Sequence, residues 1–110
     1  MLTLPIKKKW FDMIKSGEKK EEYREIKPYY TSRLYGRGYE HNVKNGFVKE
    51  HSIEKEIFLR NGYSSNSPTI KCKVIIEKGY GKEEWGAEPN KEYYVLKILS
   101  IEEVNDNNDR

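Results

Sequence analysis

Apolar and polar positions along this chain change their period several times, and each change marks an element. Leu2, Leu4 and Ile6 alternate with Thr3 and Pro5, which predicts a short first strand over residues 2–6. Pro5 cannot donate to a ladder, so this strand belongs at an edge or an end. Over residues 7–16 the period lengthens. Trp10, Phe11 and Ile14 fall at i, i+1 and i+4, widened by Met13, while Asp12 and Lys15 face out. This predicts a helix of about three turns, closed by Gly17 as its left-handed residue. Residues 20–26 read as a second strand. Pro28 then suits the first position of a short helix over residues 29–34.

Residues 35–52 are polar and glycine-bearing and read as a long loop, with a helical piece near residues 48–56. A strand over residues 56–60 meets the Asn61-Gly62 turn signal, and residues 64–68 read as a second turn. Ile70, Cys72, Val74 and Ile76 alternate with Lys71, Lys73 and Glu77, as in a half-buried strand. Residues 78–91 read as a glycine-rich loop. Residues 93–101 are apolar nearly throughout and predict a last strand inside the sheet. About five strands, an N-terminal helix and a second short helix predict an α+β, mainly β fold. The architecture expected is a small barrel with helices packed at its side or ends. One domain is expected over residues 1–104, with a polar tail at residues 105–110.

Composition narrows the class. The 110 residues suit one domain with a modest core. Charged side chains make up 35%, but nine tyrosines, three phenylalanines and two tryptophans supply the apolar area that a disordered chain lacks. The net charge of +3 fits either a solvated surface of mixed sign or anion binding, if the basic groups share a face. The single cysteine, Cys72, excludes an internal disulfide and reads as a buried, inert thiol. No apolar run approaches the roughly 20 residues that span a bilayer. Residues 1–9 hold no apolar signal-peptide core, so a cytoplasmic protein without a membrane partner is expected.

Candidate chemistry concentrates in Gly17-Glu18-Lys19-Lys20-Glu21-Glu22-Tyr23-Arg24. Strand alternation from Lys20 places Glu22 and Arg24 on one side and Tyr23 on the other. Neighbours along one strand face lie roughly 6.5–7 Å apart, close enough for a carboxylate and a guanidinium to pair or share a ligand. Tyr23 is expected to face the barrel interior, with Glu22 and Arg24 facing the helix or solvent. Lys19, in the turn after Gly17, is expected to act as a movable cation. Lys7, Lys8 and Lys9 are unusual at a helix start, where negative charge is preferred. They are either solvated or help to attract a phosphate. Aromatic residues beside glycines, such as Tyr35, Tyr39, Phe47, Tyr63, Tyr80 and Trp85, fit either loop packing or base stacking around one mouth. Zinc spacing, phosphate-loop and dinucleotide motifs and a serine nucleophile elbow are absent, so no metal or cofactor is expected.

Gly17, Lys19, Glu22 and Arg24 fit Gly-x-Lys-x-x-Glu-x-Arg, and on this motif the chain resembles the ASCH domain family. Residues 10–17 are similar to the helix that leads into the motif, and Glu92-Tyr93-Tyr94-Val95-Leu96-Lys97-Ile98 is similar to the family's closing strand. Residues 35–56 match no part of the pattern and read as an insertion. The resemblance implies a PUA-like β-barrel that binds single-stranded RNA or an RNA-derived nucleotide in a cleft lined by the motif. Some ASCH members are amidohydrolases acting on an acetylated cytidine, with a Lys, a Thr and a Glu as the catalytic set, and others are ribonucleases. Lys19 matches that lysine, and Glu22 stands at the threonine position. The ligand-binding candidates are therefore Lys19, Glu22 and Arg24, with Lys9 and Trp10 from the helix and Tyr63 from a loop. Lys19 and Glu22 form the catalytic pair if the chain is a hydrolase on RNA or a modified nucleoside. A protein-interaction or regulatory domain is the third reading.

Overall fold

The apolar stripe of the first helix sets how the chain enters its core. In the computed structural model, which describes residues 1–36 and 52–104, Phe11 and Ile14 are buried and the helix they anchor lies against the sheet. Chain order is β1 (Thr3–Ile6), α1 (Lys8–Ser16), β2 (Glu21–Glu25), α2 (Pro28–Tyr35), β3 (Ile53–Asn61), β4 (Thr69–Tyr80) and β5 (Glu92–Glu103), with a 3-10 turn at Glu83–Trp85 before β5. Gly17 ends α1 at φ 89°, a left-handed conformation that costs glycine nothing, and its N–H returns to Ile14 O. Pro28 opens α2, where its missing N–H is no loss. At the other end Lys55 Nζ donates to Arg33 O and Leu34 O at 3.2 and 2.8 Å, so a cation caps the helix C-terminus.

The strands form one curled sheet, a half-barrel, in the order β1-β3-β4-β5-β2. With its two helices this is a small α+β fold, consistent with the PUA-like barrel that the motif implies. β1 pairs with β3 in parallel, and the other ladders are antiparallel. The alternation read in the sequence is the alternation seen. Ile70, Cys72, Val74 and Ile76 of β4 point into the main core with Leu4, Ile6, Ile57, Leu59, Tyr94 and Leu96. Thr31 and Tyr94 share a hydroxyl–hydroxyl hydrogen bond that satisfies both polar groups inside that core. β4 is the middle strand, and β5 lies beside it, paired on both edges.

Several expectations are corrected. The helical piece near residues 48–56 is not formed in its described part, because β3 already begins at Ile53. Pairing with β4 decides this stretch, where Ile53 faces Ile76 and Lys55 faces Val74. Most of the proposed insertion at residues 35–56, and the tail at 105–110, lie outside the described residues. The expected loop over residues 78–91 begins later, since β4 runs on to Tyr80 against β5. The remaining loop folds back over the outer face of the sheet. There Ala87, Tyr93, Val95 and Tyr23 form a second, smaller apolar cluster.

That cluster depends on a glycine. A Cβ on Gly81 would stand 2.5 Å from the Tyr23 ring and 2.7 Å from Ala87 Cβ, nearer than carbon atoms approach. Gly81→Ala is therefore expected to displace Tyr23 and destabilise the fold by roughly 1–3 kcal/mol, the usual range for overpacking. A urea denaturation midpoint equal to that of the parent would show that Tyr23 is not held there. Cys72 is fully buried, and burial pushes its thiol up from 9.0 to about 11. The native state then keeps a proton that the unfolded chain loses. Its contribution to stability is whole below pH 9.0 and is lost as pH rises through about 11. Two pKa units correspond to about 2–3 kcal/mol. Cys72→Val, which packs similarly but does not titrate, should fall less steeply over that window. Parallel stability curves for parent and variant between pH 8 and pH 11, by chemical denaturation, would contradict the assignment.

Candidate functional site

β1 and β2 are the two outer strands of the curled sheet, and no ladder joins them. Where the half-barrel would close, a seam remains. The register places the motif at it. Across the antiparallel β2–β5 pair, Glu22 faces Leu96 and Arg24 faces Tyr94, and facing residues share one side of a sheet. Leu96 and Tyr94 belong to the main core, so Glu22 and Arg24 point to the concave side. Tyr23 faces Val95 and packs on the outer face with Tyr93, the ring centroids 5.6 Å apart. The expected sides are thus reversed: Tyr23 does not face the barrel interior. The reason is cover. On the outer face Tyr23 finds the loop after β4, where its hydroxyl donates to Glu21 Oε1 at 2.8 Å and accepts Lys82 N–H at 2.9 Å. This burial raises the Tyr23 phenol above its usual range.

On the concave side each charge meets a partner. Arg24 Nη2 donates to Glu22 Oε2 at 2.8 Å and, across the seam, to Pro5 O at 2.9 Å. Arg24 Nη1 reaches Tyr30 Oη at 3.4 Å, and the guanidinium lies 5.7 Å from the Tyr30 ring centre. Pro5 makes the cross-seam bond possible from its side: its carbonyl points out of the β1–β3 ladder, and the N–H it lacks would have pointed there too. The other Glu22 oxygen, Oε1, lies 3.3 Å from Lys19 Nζ. Lys19 is 1% exposed, and its ammonium also donates to Glu21 O at 2.6 Å and Trp85 O at 2.7 Å. Three donors thus meet three acceptors. The rings of Tyr23 and Trp10 stand 4.8 and 5.1 Å from the charge. Desolvation lowers the Lys19 pKa, and the Glu22 carboxylate works against that fall.

In the seam lies a cavity of about 460 Å³, within the range of small-molecule sites. Pro5 and Ile6 of β1, Lys7 and Lys8 at the start of α1, and Glu22 to Glu25 of β2 line it. Trp10, Tyr30, Asn61, Gly62, Tyr63 and Tyr93 complete the wall. The floor is a carboxylate–guanidinium pair, and the rim offers aromatic faces and two lysines. Such a site can hold an anion and a planar ring together. Among the described residues no cluster of three or more His, Cys, Asp or Glu could hold a metal ion, and no helix is long and apolar enough to cross a membrane.

No family model, curated protein or solved structure matches this chain. The geometry alone therefore says which candidates come together. Glu22, Arg24, Trp10 and Tyr63 line the cavity. Lys19 does not. It is a locked cation beneath the wall, not a movable one, because Gly17 ends the helix tightly enough for Lys19 N to bond Met13 O. Lys9 also stays outside, its ammonium 4.7 Å from the Trp10 ring, and its neighbours Lys7 and Lys8 line the site instead. Of the aromatics beside glycines, Tyr63 reaches the mouth. Tyr35 packs on core Tyr94, Tyr80 is exposed at the end of β4, and Trp85 lies under Lys82. Tyr39 and Phe47 lie outside the described residues. Tyr30 and Asn61 were not legible as site residues, since only the placement of α2 and of the β3–β4 turn brings them to the seam.

The Lys19–Glu22–Arg24 group carries a stability prediction. Breaking a buried ion pair leaves uncompensated charge, so Glu22→Gln is expected to cost about 3 kcal/mol or more. Asp12→Asn, which breaks only the exposed Lys8–Asp12 pair, should move the midpoint little. Equal midpoints for the two variants in guanidinium denaturation would mean that the buried group does not hold the seam.

Proposed function

We propose that the chain binds single-stranded RNA or an RNA-derived nucleotide in the seam cavity. The observation that carries this reading is the cavity itself. One concave site presents cations for phosphate and aromatic rings for stacking, above a floor formed by the Glu22–Arg24 pair. Lys7 and Lys8 are exposed and line the cavity at the start of α1. Lys8 has an exposed Asp12 as partner, a pair weak enough to exchange for phosphate. The resemblance of residues 17–24 to the ASCH motif points the same way and favours RNA over other anions.

Turnover is not part of the proposal. An amidohydrolase would need the lysine at its substrate, whereas Lys19 is buried with its donors occupied. Glu22 is likewise held between two cations.

Binding should be weak and should fall as salt rises, since released counterions drive it. Titration of labelled single-stranded RNA at low and high salt measures this. Replacing both Lys7 and Lys8 by Gln should flatten the dependence of log K on log salt by about 1 to 1.5, at about 0.7 for each lost phosphate contact. Absence of binding at low salt, with nucleosides and nucleotides also failing, would overturn the proposal.

A further inference from the structure

Beside the cavity, α2 carries a second surface of related chemistry. Tyr30 forms the cavity wall on that side. Its ring meets Tyr29 edge to face, the centroids 5.0 Å apart and the planes at 87°. Tyr29 is 52% exposed although it is large and apolar. Arg33, one turn further on, lays its guanidinium 3.9 Å from the centre of the Tyr29 ring. Lys27 stands 5.5 Å from the Tyr30 ring. The nearby acid, Glu25, is held by Lys91 at 3.0 Å and Lys27 at 3.3 Å, which compensates its charge and lowers its pKa.

We infer that the Tyr29–Arg33 face of α2 is a second nucleotide subsite, so that the ligand is a strand, with one nucleotide in the cavity and its neighbour stacked on Tyr29. The inference rests on the reading of the cavity as a nucleotide site. A base needs a π-face, and sequence-tolerant stacking on aromatic side chains supplies it. A phosphate between two such bases needs a cation close to the rings: Arg33 lies over one face of Tyr29, leaving the other for the base, and Lys27 stands by Tyr30. Arg33 on Tyr29 also holds the platform in place before the strand arrives, which reduces the ordering that binding requires. The pair is continuous with the cavity wall through the Tyr29–Tyr30 contact, so a strand leaving the cavity past Tyr30 meets Tyr29 next.

The test compares a short mixed-sequence RNA oligonucleotide with the ribonucleoside 5′-monophosphates, using calorimetry on the full chain. Tyr29→Ala should weaken the oligonucleotide roughly 5- to 150-fold, the span of one lost base–aromatic stack, and leave monophosphate affinity unchanged. Arg33→Gln, which preserves the helix surface, should weaken the oligonucleotide less and flatten its salt dependence. Replacing Lys7 and Lys8 together by Gln should weaken both ligands. If Tyr29→Ala and Arg33→Gln leave oligonucleotide affinity unchanged while the lysine double variant weakens both ligands, the second subsite is overturned and the cavity reading stands. If oligonucleotide and monophosphates bind the parent equally well, the subsite is again overturned. If neither ligand binds the parent, the cavity reading fails and the subsite fails with it.

Discussion

The Arg24 guanidinium joins two edges of a sheet that its backbone leaves unjoined. A curled sheet of five strands presents unpaired groups along β1 and β2. Arg24 spans that seam by donating through one nitrogen to Glu22 on its own strand and to the Pro5 carbonyl on the other. A guanidinium taken out of water in this way requires a counter-charge, and Glu22 supplies it. Glu22 then has an oxygen left over, which Lys19 takes. Lys19 in turn holds the backbone of β2 at Glu21 and of the loop before β5 at Trp85. A chain of charges thus fastens β1, β2 and the loop to one another.

The same constraint shapes the candidate site. The seam cannot close like the other ladders, because a side-chain bridge holds strands further apart than a backbone pair does. The space left over is the cavity. Its floor is made of charges already committed to each other, which gives a fixed polar shape. Its rim is made of the exposed Lys7, Lys8 and Tyr63 and the open part of Trp10. The proposed nucleotide would thus meet a fixed polar floor within and exposed lysines at the rim.

How much of this was legible in the sequence varies with the range of the interaction. The helix of Trp10, Phe11 and Ile14, the Gly17 stop, the Pro28 start and the alternation in β4 are local patterns, and they stand as read. The start of β3 at Ile53 and the extension of β4 to Tyr80 depend on partner strands distant in sequence, and local propensity missed both. The sidedness of β2 shows the same limit more sharply. Alternation separates Tyr23 from Glu22 and Arg24 correctly, but alternation carries no sign: it cannot say which set faces inward. The usual rule that aromatic side chains go inside and charges outside chose the wrong sign. It failed because β2 borders an open seam within and a covering loop without.

From its order of residues alone, the chain determined where its short helices begin and end, which strand positions share a face, and that Lys19, Glu22 and Arg24 act as a group. These follow from backbone sterics and fixed side-chain periods, which operate over a few residues. Only the tertiary structure decided that Lys19 is locked while Lys7 and Lys8 stand at the rim, and that Tyr30 and Asn61 join them. Those outcomes rest on the meeting of β1 with β2 and the return of the loop near Trp85 over Lys19. Such contacts close between residues tens of positions apart, and no local pattern encodes their geometry.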